Sequence, residues 1–325
     1  MIEKEREVVF RDGPFKDDFQ RFIHYKQGLG FSYGVAAQKV ASMLNDMLNE
    51  MGTHVIDKAV AEAIAARHGD EALGTQAKRA SMFRQFAVFL NDAGIESYII
   101  PFHYQPKWID GFAPYVFSYE QIANIFEVSD SLAPRKRNPL YHLVWPAVVR
   151  TLYSCGMRLG EVLTLKTCDI NLNEGIIFVE KGKNGTSRYV PMSASLHAYC
   201  IGYASTVHSI SHEYFFPAGD GGRYSPTTAR SRIKSIYEDA GIPRLSNGRL
   251  PRVHDLRHTF CCHALEQMSV SGFDLYYALP LLSKYVGHYG IRDTERYLRL
   301  PAFMQESVVD GEEIIASIIP EVVLQ

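Results

Sequence analysis

Between two stretches of helical periodicity lies "PFHYQPKWIDGFAP", residues 101–114, which has three prolines and no apolar period. A segment like that cannot continue a helix, and it divides the chain into two parts that must each bury a core of their own. At 325 residues with 46% hydrophobic side chains, the chain has enough apolar surface for both. No apolar run approaches the roughly 20 residues of a membrane span, and "MIEKEREVVFRDG" lacks the basic-then-apolar layout of a signal peptide. The expectation is a soluble, cytoplasmic protein. Five cysteines with no C-x-x-C pair argue against a disulfide framework and against a cysteine zinc site.

The front part reads as four helices. Apolar residues recur at Phe15, Phe19, Phe22 and Ile23, then at Val40, Met43, Leu44, Met47 and Leu48, and an Ala-rich segment spans Ile56 to Arg67. A fourth helix is expected to open at a Thr75 cap, to carry Met82, Phe86, Phe89 and Leu90 on one face, and to stop at Gly94. Lys78, Arg79 and Arg84 cannot all lie on that face, so some of these bases are expected to project outward. Behind the break, Ser118 and Gln121 form a capping-box pattern. Helical period continues through "YHLVWPAVVRTLYSCG" and "RLGEVLTL". The clear β signal is "GIIFVEKGKNGTSRYVPM", which predicts strands over Ile176–Glu180 and Arg188–Met192 joined by a turn at Asn184-Gly185. Helices are expected again over 193–204, 226–240, 254–269 and 274–287. The predicted class is therefore mainly α with one small β-sheet.

Net charge is only −2. Residues 301–325 carry five acids and no Lys or Arg, which leaves the first 300 residues at +3; from Arg223 to Arg257 eight bases face three acids. An acidic tail masks a basic body.

"RVHDLRHTF" holds the chemistry-bearing core. His254 and Arg257 are three apart and face the same way on a helix. His254 and His258 are four apart, as in half of a metal site, but the glutamate base of zinc-peptidase helices is absent and Arg257 would set a fixed positive charge beside any cation. A phosphate suits the Arg/His pair better, because guanidinium matches two phosphate oxygens at once. Company in a fixed order strengthens this: Arg158 at a helix start, Lys183 near the hairpin tip, then His254 and Arg257, then His288 and Tyr297 in "LLSKYVGHYGIRDTERYLRL".

In that order and at those spacings the six residues resemble the active site of the tyrosine recombinases, the phage-integrase-like family. The resemblance spans residues 150–300, and "KRASMFRQFAVFLNDAG" is similar to the last helix of the family's core-binding domain. It implies a helical core-binding domain over 1–100, a linker over 101–114 and a mixed α/β catalytic domain over 115–300, closing as a clamp around DNA. A tail over 301–325 would dock on a neighbouring protomer. The activity implied is site-specific cleavage and rejoining of double-stranded DNA through a covalent 3′-phosphotyrosyl link, with neither metal nor ATP. The protein would be a dimer on one site and a tetramer in synapsis.

Two arginines from separate segments, Arg158 and Arg257, can clamp the non-bridging oxygens of a phosphodiester under in-line attack. A phenol with an unperturbed pKa near 10 needs help to ionise, and His254 is the expected helper for Tyr297. The resemblance gives Lys183 the protonation of the leaving 5′-oxygen, with Lys181 as the alternative, and gives His288 a hydrogen bond to the phosphate. Lys78, Arg79, Arg84, Arg230 and Lys234 are candidate DNA contacts. With about 14 residues before the first helix, a simple recombinase is expected rather than an arm-site-dependent integrase. Two other readings are a type IB topoisomerase-like DNA-relaxing enzyme and a non-catalytic DNA-binding regulator with the same fold.

Overall fold

A computed structural model of the chain describes residues 8–101, 114–180, 187–207 and 212–287, with Leu275 through its backbone alone. Lys181, Lys183, His288, Tyr297, the Asn184-Gly185 turn, most of the 101–114 segment and the 301–325 tail lie outside the described residues. The chain divides into two compact units, Met1–Phe112 and Ala113–Gln325.

The first unit holds α1 (Lys16–Gly28), α2 (Val35–Glu50), α3 (Lys58–Ala65) and α4 (Leu73–Asp92). Its core is aromatic. Phe19 stacks on Phe86 with ring centroids 3.8 Å apart, and Phe22 meets Phe86 edge-on at 5.7 Å, an offset geometry that benefits both rings beyond their burial. The repeat Phe15, Phe19, Phe22 and Ile23 is buried as the periodicity requires.

α4 departs from its sequence reading at both its start and its face. It opens at Leu73, with Ala72 in the cap position and no side-chain cap bond, so Thr75 does not cap it. Its inner face is Ala80, Phe83, Phe86, Ala87 and Leu90, while Met82 and Phe89 are half-buried. The stripe is thus rotated, because Phe83 fits the aromatic core where Met82 was expected. The rotation takes Arg79 inward. It is 1% exposed, donates to Ala66 O at 2.8 Å and pairs with Glu71. Arg79 is therefore a structural ion pair tying α4 to the end of α3, and it is withdrawn as a DNA contact. Arg84 is half-buried and donates to Ile100 O at 3.2 Å, whereas Lys78 is exposed.

The second unit comprises α5 (Tyr119–Asp130), α6 (Tyr141–Ser154), α7 (Leu159–Thr164), β1 (Ile170–Asn171), β2 (Ile176–Val179), β3 (Arg188–Pro191), α8 (Ala194–Val207), α9 (Pro226–Asp239), α10 (Asp255–Val270) and α11 (Leu275–Val286). It is mostly helical with one antiparallel sheet in the order β1-β2-β3. The β2–β3 register pairs Ile177 with Val190 and Val179 with Arg188. The two-residue β1 went unseen in the sequence, since "INLNEG" alternates over only four residues and is dominated by the turn formers Asn and Gly. Ser118 and Gln121 do close a capping box on α5. α6 is apolar on nearly every side and buries Val144, Trp145, Val148, Val149 and Leu152, so it forms the axis of this core. Among the described residues no helix is long and apolar enough to cross a membrane.

Removing Arg79 takes away its buried bonds to Ala66 O and to the part-exposed Glu71 carboxylate. Arg79→Ala is expected to cost roughly 1.5–3 kcal/mol, against less than about 0.5 kcal/mol for Lys78→Ala. Urea unfolding of the two variants compares them directly, and an Arg79→Ala midpoint as high as that of Lys78→Ala would contradict the assignment.

Candidate active site

Three of the six sequence-predicted residues, Arg158, His254 and Arg257, fall within the described chain, and the two arginines converge on the C-terminal end of α11. Arg158 is the cap residue of α7, held in extended backbone after the turn at Gly156. That glycine has φ +55°, and a Cβ there would meet Phe260 at 2.2 Å, so both conformation and space require glycine. Arg257, on the first turn of α10, is 1% exposed; its Nη1 donates to Gly156 O at 2.9 Å and its Nη2 to Val286 O at 2.7 Å. Arg158 Nη2 donates to Gly287 O at 3.1 Å. The two guanidinium groups therefore rest on successive carbonyls at the end of one helix.

A third arginine joins them. Arg188, the first residue of β3, donates from Nε to Tyr285 O at 3.0 Å and grips Glu161 with both terminal nitrogens, at 3.1 and 2.8 Å. Glu161 also accepts from Arg158 Nη1 and from the Arg158 backbone N–H, each at 3.0 Å. Burial would raise the Glu161 pKa, but the Arg188 bonds and charge, together with Arg158, overrule it and hold the carboxyl at about 2. Gly287 terminates α11 in the left-handed region at φ +69°, and a Cβ there would stand 3.0 Å from Arg188 Nη1.

Neither Arg188 nor Glu161 was singled out in the sequence, although each left a signal. Arg188 shares the inward face of β3 with the buried Val190, an odd place for a charge. Glu161 stands three residues after Arg158, at helical pairing distance.

His254 is the residue before α10, in helical backbone and with no capping bond. The turn is fixed instead by Asp255, whose carboxylate accepts from the Arg252 N–H at 2.7 Å and from Arg252 Nη2 at 2.8 Å. The imidazole is thereby left open to solvent on one side, and among the described residues no hydrogen bond engages it. The protein packed around the ring, then His258, Arg257 and Arg252, push its pKa down to about 4. At neutral pH it is an uncharged imidazole, able to accept a proton.

Beside Arg158 opens a cleft of about 560 Å³ lined by Gly160, Glu161, Thr164, Lys166, Val179 and Glu180. The chain runs from this wall directly into Lys181 and Lys183, and it returns through Arg188 on Glu161. The described ends of β2 and β3, at Val179 and Arg188, therefore lie beside Arg158 and Glu161. His288 follows Gly287 in the chain. Among the described residues no group of His, Cys, Asp or Glu side chains is arranged to hold a metal ion. Arg230 and Lys234 are both exposed, one turn apart on α9.

Because the Glu161 pKa lies near 2 in the folded protein and near 4.5 unfolded, its contribution is present above pH 4.5 and is lost as pH falls toward 2. Glu161→Gln is expected to destabilise the protein by roughly 1–3 kcal/mol at pH 7. The difference from the parent should shrink below pH 4.5 in denaturant titrations; a gap that widens in acid would refute the pairing.

The comparisons with known proteins bear on the same region. The model of the phage integrase family matches residues 116–302. The Sinorhizobium fredii protein y4rB is 26% identical over 301 residues, covering 90% of this chain and 96% of its own. Tyrosine recombinase XerD of Chlorobaculum tepidum is 26% identical over 317 residues, covering 91% and 96%. Among solved structures, the XerH site-specific recombinase bound to its palindromic difH substrate superposes with a TM-score of 0.64 at 17% identity, over 91% of this chain and 95% of that one. The Tn1549 transposon integrase in complex with circular intermediate DNA gives 0.66 at 16%, over 91% and 98%. At those identities the likeness is one of fold. The family match covers more than half of the chain, the segment that carries the arginine pair, and on that ground the protein belongs to the phage integrase family of tyrosine recombinases.

Proposed function

We propose that the protein is a site-specific DNA recombinase that cuts and rejoins duplex DNA through a covalent 3′-phosphotyrosyl intermediate. The observation that carries this reading is the pair Arg158 and Arg257, anchored on Gly287 O and Val286 O, with a neutral His254 one helical turn from Arg257. A fixed pair of guanidinium groups suits a phosphodiester, whose negative charge grows as the fifth bond to phosphorus forms.

Arg158 and Arg257 hold the non-bridging oxygens. The Tyr297 hydroxyl attacks phosphorus, and its proton passes to His254. A bond forms between the phenolic oxygen and phosphorus as the bond from phosphorus to the 5′-oxygen breaks. Lys183 gives a proton to that leaving oxygen, and His288 donates a hydrogen bond to the phosphate. Rejoining runs the same steps backward, so the ester energy is conserved.

The chain is read as a core-binding domain over 1–100 and a catalytic domain over 115–300, linked by 101–114 and closing on duplex DNA. In that reading one site carries a dimer and synapsis a tetramer, with the 301–325 tail docking on a neighbouring protomer. Lys78, Arg84, Arg230 and Lys234 are DNA contacts, and phosphate neutralisation supplies much of the affinity, with strong salt dependence.

The test is incubation with candidate element-end DNA nicked beside the cleavage position. The parent protein should accumulate a protein-DNA adduct stable to denaturant, and Tyr297→Phe should give none. An adduct at parental level with Tyr297→Phe would end the proposal. Lys183 and Lys181 are separated by placing sulfur at the 5′ leaving position, since a thiolate leaves without protonation. Cleavage by Lys183→Ala should be lost on the oxygen substrate and restored on the sulfur one. If Lys181→Ala behaves that way instead, the acid is Lys181.

A further inference from the structure

The recombinase reading accounts for the bases around the arginine pair but leaves a second basic cluster unexplained. The turn "RKR", Arg135 to Arg137, packs against the loop 217–224. A Cβ on Gly219 would lie 2.7 Å from Arg137 O, and Asn138 Nδ2 donates to the Tyr224 hydroxyl at 2.7 Å. The first turns of α9 complete the corner. Arg135 lies over the Tyr141 ring at 3.9 Å and Arg232 lies over the same ring at 5.5 Å.

These segments bring Arg135, Lys136, Arg137, Arg223 and Arg232 into one neighbourhood, and all but the half-buried Arg232 are exposed. The acid within them is Asp220, and its Oδ1 accepts the Gly222 N–H at 3.0 Å in its own turn. Among the described residues none of these five bases has an ion-pair partner. Several bases elsewhere are paired, as Arg150 with Asp130, Lys166 with Glu213 and Arg244 with Glu238. Two guanidinium groups sharing one aromatic ring without a counter-charge repel each other, and an external anion would relieve that repulsion.

We infer that this corner is a second phosphate-binding surface that grips the DNA backbone away from the cleavage point. α6 runs from Tyr141, at this corner, to Ser154, four residues before Arg158. Its 14 residues rise about 20 Å, so one phosphate cannot touch both places. The surface is a backbone contact because its charges are clustered and exposed rather than set in a pocket. It adds affinity and orientation and takes no part in the chemistry.

The inference rests on the DNA reading above, and its test separates the two. Full-length protein is titrated onto a fluorescent duplex of arbitrary sequence at 50–300 mM KCl, followed by anisotropy. Lys136→Gln with Arg137→Gln is compared with the parent, and with Lys16→Gln plus Arg21→Gln, which makes the same change in net charge at bases already paired with Asp12 and Asp18. Losing two phosphate contacts should lower the slope of log K against log salt by about 2 and weaken binding roughly tenfold to a hundredfold at 0.1 M salt. The Lys136→Arg and Arg137→Lys pair should keep the parental slope. If the glutamine pair at 136 and 137 falls no further than the control pair, this surface is not a DNA contact, while the recombinase reading stands. If the parent itself shows no salt-dependent affinity for duplex DNA, both fall.

Discussion

Three consecutive carbonyls at the C-terminal end of α11 receive N–H donors from three arginines that start in a strand, a helix and a helix cap. Tyr285 O, Val286 O and Gly287 O take Arg188, Arg257 and Arg158 in turn. The last four carbonyls of any helix lack intrahelical partners, and the helix dipole makes that end negative. Cationic donors are the most favourable groups to set there, and burial of Arg257 strengthens each bond by excluding competing water. Because β3, α7 and α10 contribute one arginine each, this helix end locks the relative placement of all three. Gly287 permits it: its left-handed turn ends the helix, and its missing Cβ leaves room for Arg188.

On the proposed function, a carboxylate beside two phosphate-binding arginines has a charge-balance explanation. Glu161 and Arg188 cancel, held by two parallel bonds. Arg158 and Arg257 remain as positive charges among the described residues, with His254 neutral. On the proposed function, a phosphodiester carries one negative charge and its five-coordinate transition state two, and fixed cations favour the more highly charged state. Glu161 thus lends rigidity to Arg158 without reducing the charge that the substrate meets.

What could be read from the sequence was whatever depends on local pattern. Phe19, Phe22 and Phe86 announced their core by period, Ser118 and Gln121 announced a cap, and His254 with Arg257 announced a shared face. What could not be read depends on partners distant in sequence. Arg79 looks like a surface base until Glu71 and the end of α3 are placed beside it. Arg188 resembles an edge-strand charge until Glu161, 27 residues earlier, and Tyr285, 97 residues later, are brought to it. The Thr75 cap failed because α4 already begins at Leu73, which leaves Thr75 inside its first turn, and Gln76 there donates to Ala65 O at 2.9 Å.

His254 shows how such a site controls its own base. Partial burial of the ring, then His258, Arg257 and Arg252, disfavour the imidazolium, and the pKa sits near 4. An imidazole that weak is a poor acceptor for a phenolic proton. A bound phosphodiester reverses the local field: its negative charge lies against the guanidinium groups that depressed the ring, and the cationic imidazolium gains a counter-ion. On the proposed function, base strength would therefore rise with substrate in place and fall when it leaves. On the proposed mechanism the tyrosine is deprotonated where there is a phosphate to attack, and the same coupling returns the proton to the phenol once the strand has been rejoined.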